Sequence, residues 1–149
     1  VWEVGGGDKK NSSSSILENW KSPKTIRPWG YYRELYEGVD FKVKELVINP
    51  HSKLSMQRHQ FRSETWNIVS GKVSMGLIDM NRGIQHTQQI FSTFEIPVFT
   101  WHQGINLTSN PAHVVEIWRG DSGQLSEKDI ERIDSDSIQR LLSQRIRPD

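Results

Sequence analysis

The chain has no cysteine among its 149 residues, which excludes disulfide frameworks, thiolate nucleophiles and zinc sites built on sulfur. Any metal must be held by histidine, carboxylate or amide oxygen. It has no long apolar run either. Hydrophobic residues make up 34% of the total, and no stretch approaches the roughly 18 consecutive apolar residues that a membrane span requires. Nor is there an excess of either charge, because 19 Lys and Arg stand against 18 Asp and Glu, a formal net charge of +1. Without a basic field, neither nucleic acid nor an anionic membrane is the expected partner; a small molecule is. The start, Val1-Trp2-Glu3-Val4-Gly5-Gly6-Gly7, lacks the basic flank and apolar region of a signal peptide and the Met of a native start. It reads as a trimmed chain, expected in the cytoplasm. At about 150 residues per domain, the length predicts one domain.

What is present divides the chain in three. Residues 1–26, with Gly5 to Gly7 and Ser12 to Ser15, have too few apolar positions to offset their ordering entropy. They read as a tail or linker with one short amphipathic turn at Ile16 to Trp20. From 27 to 121 the texture is one of short β-branched and aromatic runs broken by turn residues, as in Phe41 to Ile48 before Asn49-Pro50. Further strands are expected at Leu54 to His59, Glu64 to Ser70, Val73 to Asp79, Gln85 to Phe91, Ser92 to Ile96, Gly104 to Ser109 and Val114 to Arg119. Such spacing predicts an all-β sandwich or barrel. Residues 122–149 read as helical: Ser126 before Lys128-Asp129-Ile130 resembles a capped start, and Ile138, Leu141, Leu142 and Ile146 recur at helical spacing. Asn106-Leu107-Thr108 fits a glycosylation sequon, read as a chance match.

Four side chains carry chemistry: Gln57, His59, Glu64 and His102. Side chains alternate faces along a strand, so Gln57 and His59 share a face at chelating separation. A hairpin through Gln60-Phe61-Arg62-Ser63 would bring the Glu64 carboxylate beside His59. His102, some forty residues on, joins them only if the sheet closes, which a barrel provides. Two imidazoles, a carboxylate and an amide oxygen suit a borderline divalent metal, zinc first, with Mn²⁺, Fe²⁺, Co²⁺ or Ni²⁺ also accommodated.

The spacing of these residues resembles the cupin motif G-x5-H-x-H-x3,4-E-x6-G. Here Gln57 replaces the first His, His59, Glu64 and Gly71 match, and His51 stands where the opening Gly is expected. The second cupin motif, G-x5-P-x-G-x2-H-x3-N, is met by Pro97, His102 and Asn106, with Phe91 and Phe99 in place of its glycines. More specific is a resemblance to the C-terminal domain of the type II phosphomannose isomerase / mannose-1-phosphate guanylyltransferase family. Its marks are Arg27-Pro28-Trp29-Gly30, Phe41-Lys42-Val43-Lys44, Leu54-Ser55-Met56-Gln57-Arg58-His59, Arg62-Ser63-Glu64-Thr65-Trp66, Glu116 and Ser126-Glu127-Lys128-Asp129-Ile130. The likeness runs from about Arg27 to Asp136. The family's nucleotide-transfer domain has no counterpart in it, and Gln60 and Phe61 stand where further histidines are usual.

The resemblance implies a cupin double-stranded β-helix, or jelly-roll barrel, with a C-terminal helix, and a homodimer. It implies a metal-dependent isomerase interconverting mannose 6-phosphate and fructose 6-phosphate, with Gln57, His59, Glu64 and His102 on the metal. Such a reaction needs an electrophile for the developing oxyanion and a base for the proton. Lys44 and Glu116 are the candidate bases, Arg62 is expected to grip the phosphate with Arg27 as a second anion contact, and Trp101 is a candidate sugar platform. Trp29, Phe41, Trp66, Phe94 and Trp118 read as core, because strand aromatics fill barrel interiors. The alternatives are a non-catalytic metal-binding cupin that takes a sugar or small acid, and a non-haem iron oxygenase.

Overall fold

The structure is a computed structural model that describes residues 22–146, so the turn expected at 16–20 lies outside the described residues, as does the Ile146 side chain. Among the described residues there are twelve strands: β1 (Thr25–Arg27), β2 (Gly30–Gly38), β3 (Phe41–Ile48), β4 (Ser52–Lys53), β5 (Met56–Arg58), β6 (Ser63–Ser70), β7 (Val73–Asp79), β8 (Ile84–Ile90), β9 (Thr93–Ile96), β10 (His102–Asn106), β11 (Ala112–Arg119) and β12 (Glu131–Ile133). One helix follows, α1 (Ser135–Ile146). The strands form two facing antiparallel sheets, ordered β1-β2-β3-β11-β6-β9 and β12-β5-β10-β7-β8, with β4 paired to β10. This is the all-β jelly roll with a C-terminal helix. Among the described residues no helix is long and apolar enough to cross a membrane.

Alternating side chains point between the sheets and build the core from Leu46, Ile48, Trp66, Val73, Met75, Ile90, Ile96 and Val114. A second cluster, Met56, Ile78, Trp101 and Ile138, seats α1 on the outer side. Asp134 caps that helix, its carboxylate accepting from the Ser137 amide at 2.8 Å. The helix therefore starts later than the sequence suggests. Ser126 does accept from the Lys128 and Asp129 amides, but as a turn. The chain then extends through β12, whose edge pairing with β5 outcompetes local helix formation. β2 also escaped the pattern reading, since its outer end mixes Glu34, Leu35, Tyr36 and Glu37, all exposed.

Two positions explain how the loops tolerate missing glycines. His51 and Phe99, standing where the cupin motifs have Gly, take left-handed backbone at φ 55° and 59°. The turn shape is kept at a cost of about 1–2 kcal/mol each for the Cβ. Gly71, at φ 82°, keeps the motif residue, and a Cβ there would lie 2.6 Å from the Pro111 carbonyl oxygen. The sequon is structural: Asn106 is fully buried, its amide nitrogen 2.8–3.1 Å from the carbonyls of Ile48, Asn49 and Asn110.

Candidate metal centre

β5 and β6 do not form the hairpin that the sequence suggests. They belong to opposite sheets, and residues 59–62 cross between them. The expected meeting occurs nonetheless, because the sheets face each other. Glu64, from the start of β6, places a carboxylate oxygen 3.1 Å from His59 Nε2 and the other 3.6 Å from His102 Nε2. Potential ligand atoms of the three lie within 4.8 Å of one another. All three are buried, at 3%, 1% and 1% exposure for His59, Glu64 and His102. Gln57 is the register partner of His102 across β5 and β10, which puts its side chain on the same inward face.

The outer edge of each imidazole is already committed. His59 Nδ1–H donates to the Asp129 carbonyl and His102 Nδ1–H to the Thr100 carbonyl, both at 2.8 Å. A carbonyl only accepts, so each neutral ring carries its proton on Nδ1 and turns the Nε2 lone pair toward Glu64. His102 Nε2 is buried without a hydrogen-bond partner. The His59 lone pair meets the Arg62 guanidinium at 3.3 Å, but the neutral His102 ring turns its lone pair on the Glu64 carboxylate with no donor between them, a repulsion that a bound cation would relieve, and the donor set is that of a zinc-type centre. The residues thus fit a divalent metal.

Neighbouring groups hold Glu64 in place. Trp66 Nε1–H donates to one of its oxygens at 2.9 Å and Arg62 Nε–H to the other at 2.8 Å. Burial pushes the Glu64 carboxyl up, but with His102 and His59 protonated at both ring nitrogens their Nε2–H groups donate to it and hold it well below the usual carboxylate range. Glu116 moves the opposite way. Its burial, then the Glu64 charge and the hydrogen bond the two carboxyls share, raise it well above the usual range.

A cavity of about 280 Å³ adjoins the centre, lined by Lys44, Gln57, Arg62, Glu116 and Trp118, with Arg27, Glu127 and Arg132 also on its wall. His59, Glu64 and His102 do not line it themselves; Arg62 and Gln57 stand in front of them. Lys44 is buried above the Tyr32 and Trp118 rings, 3.9 and 4.4 Å from their centroids, and pairs with Glu127. Each such stacking is worth about 0.5–2 kcal/mol.

Most of the expected residues meet here, and one does not. Lys44, Glu116 and Arg62 share the cavity, with Arg27 exposed beside it. Arg62 differs from the reading of an open phosphate clamp. Its donors reach Glu64, the Ser126 carbonyl at 3.0 Å and His59 Nε2 at 3.3 Å, and it stacks 3.4 Å over Trp118. Trp101 is a correction: it packs under α1 in the second apolar cluster, held 4.6 Å from the Arg58 guanidinium, and forms no part of this cavity's wall. Its apolar ring is better buried there than exposed. Trp118, read as core, lies on the cavity wall. Sequence reading missed Trp66 as a support of Glu64, though their i, i+2 spacing on one strand was the signal. It also missed Asp129, which no spacing rule ties to residue 59.

A family model described as the mannose-6-phosphate isomerase C-terminal domain matches residues 16–135. Alginate biosynthesis protein AlgA of Pseudomonas aeruginosa is 32% identical over 111 residues, 74% of this chain and 22% of that protein. Mannose-1-phosphate guanylyltransferase of Salmonella muenchen is 32% identical over 120 residues, 80% of this chain and 24% of that protein. The chain thus spans less than a quarter of the length of these relatives. Among solved structures, the cupin-2 domain Rru_A2000 of Rhodospirillum rubrum superimposes with a TM-score of 0.60 at 11% identity, over 80% of this chain and 77% of that one. Oxalate decarboxylase of Bacillus subtilis gives 0.65 at 14% identity, over 75% and 30%. At these identities the likeness shows the fold.

Proposed function

Since the chain belongs to the family of mannose-6-phosphate isomerase C-terminal domains, which are cupins, we propose that it interconverts mannose 6-phosphate and fructose 6-phosphate with a divalent metal, zinc first. The carrying observation is the convergence of the His59 and His102 Nε2 atoms on the buried Glu64 carboxylate beside a charged cavity. His59, Glu64 and His102 would hold the metal, with the Gln57 amide oxygen as a fourth ligand. When bound, the metal supplies Lewis acidity to the sugar's neighbouring oxygens.

The chain's own residues do the rest. Arg62 and Trp66 keep the Glu64 carboxylate aimed inward, so that the centre costs little reorganisation. Lys44 and Glu116, register partners on β3 and β11, are the two buried wall groups able to take a proton from one sugar carbon and return it to the next. Arg27 and Arg132 line the wall as contacts for the phosphate, and Arg62 adds positive potential.

The test is sugar-phosphate interconversion by the chain after chelation and after restoring each divalent metal in turn. Metal-restored turnover, lost in Glu116→Gln or Lys44→Met, supports the reading. Bound metal with no turnover under any condition points to the second reading, a non-catalytic metal-binding cupin for a sugar or small acid. One observation favours that alternative: Arg62 donates to Glu64, Ser126 and His59 and thus has few donors left for a ligand.

A further inference from the structure

The two histidines of the centre are oriented by different means. His102 is held by its own turn, through the Thr100 carbonyl two residues away. His59 depends on a residue seventy positions later, on the strap that leaves the barrel after β11 and returns to pair as β12. That strap meets the stretch 59–62 repeatedly. The Ser126 carbonyl accepts from Arg62, the Asp129 carbonyl accepts from His59, and the two Asp129 carboxylate oxygens accept separately from the Gln60 and Phe61 amides, each at 2.8 Å.

We propose that Asp129 is the positioning residue for His59: its carboxylate, gripped by two successive backbone amides, fixes its own carbonyl against Nδ1 and so dictates which ring nitrogen faces the metal. The physical basis is that the main-chain carbonyl is a pure acceptor, while an imidazole is indifferent between its two tautomers until a neighbour decides. A carboxylate held at both oxygens cannot rotate freely, so the carbonyl of the same residue is registered against His59–Phe61. Arg62 agrees with this assignment, because its donor-only guanidinium lies 3.3 Å from His59 Nε2, which must therefore accept. The barrel strands alone do not complete the centre; residues 126–133 do.

This inference rests on the metal reading above, but its first readout needs no metal. Ring-nitrogen NMR of the metal-free full chain, at a pH where the rings are neutral, is expected to show Nδ1–H for both His59 and His102. Asp129→Ala should leave His102 unchanged and shift His59 toward a mixture of tautomers, and zinc affinity by calorimetry should fall by about 10–100-fold, the range for partners that orient a metal-ligating histidine. Asp129→Asn, which keeps one oxygen acceptor, should fall between. Glu131→Ala, which removes only the strap's ion pair with Arg58, is the control and should leave the His59 tautomer alone. The proposal is overturned by an Nε2–H tautomer for His59 in the unsubstituted chain, a measurement that requires no variant to fold. It is also overturned by an Asp129→Ala chain with unaltered His59 tautomer, or by Glu131→Ala moving that tautomer equally. If the unsubstituted chain takes up no zinc, the metal reading falls, and the tautomer comparison still decides the role of Asp129.

Discussion

Along β3 the inward side chains run Ile48, Leu46, Lys44; along β11 they run Ala112, Val114, Glu116, Trp118; along β6 they run Ile68, Trp66, Glu64. The facing sheet changes in the same direction, from Val73 and Met75 beside Gly104 to His102 opposite Gln57. One end of the barrel is thus a dry apolar core, and the other is equally buried but built of ionisable groups. The period-2 alternation is identical in both; only the chemistry of the inward positions differs. Apolar burial at one end drives folding at roughly 25 cal/mol per Å². At the other end every charge must be answered by a partner, because an unanswered one in such a site costs several kcal/mol. The comparison teaches that the first end supplies stability and the second end uses it to hold otherwise repelling groups together.

The largest expected effect lies at the polar end. Glu64→Gln should abolish metal uptake and also lower unfolding free energy by about 3–5 kcal/mol, since it leaves the buried Arg62 without its carboxylate. Urea unfolding of the metal-free protein reads this; an unchanged midpoint would mean the pair is not part of the fold's balance. Ile48→Ala at the apolar end should cost about 2–5 kcal/mol from lost burial and the cavity left behind. Metal affinity should remain within a few-fold there, and a large loss of affinity would break the division between the ends. Gly104→Ala joins the two: a Cβ would stand 2.7 Å from the Trp66 ring, which in turn holds Glu64. About 1–3 kcal/mol of overpacking is expected, with metal affinity weakened as Trp66 shifts.

The smallest effect belongs outside both ends. The Asp134 carboxyl is held below its usual range by the Ser137 amide and hydroxyl at the start of α1. A depressed folded-state value gives stability that is present above the unfolded-state value and is lost as pH falls through the folded one. Asp134→Ala should therefore lower the melting temperature slightly at neutral pH and not at all in strong acid. An equal loss at both would assign the effect to packing.

Much of this contrast was legible in the chain. Phe41–Ile48 and Val73–Asp79 announce themselves by alternation, and His59, Glu64 and His102 by residue type at cupin spacing. What could not be read was which sheet each strand joins. Glu64 reaches His59 across the barrel interior instead of along a hairpin, and local spacing does not encode that difference. Trp101 was misread because adjacency to His102 in sequence means opposite faces on an extended chain, so the neighbour of an inward-facing residue points away from it. Asp129 was hidden for a related reason: its contact with residues 59–61 spans about seventy positions, and its turn mimics a helix start.

The central claim is that His59, Glu64 and His102 surround one cation inside the barrel. A crystal structure of the zinc-soaked chain, with anomalous scattering at the zinc edge, tests it most directly. The account predicts a single strong peak about 2.0–2.2 Å from both Nε2 atoms and a Glu64 oxygen. A map with no peak there, or with the peak at surface residues while the three side chains stay as they are, would contradict it.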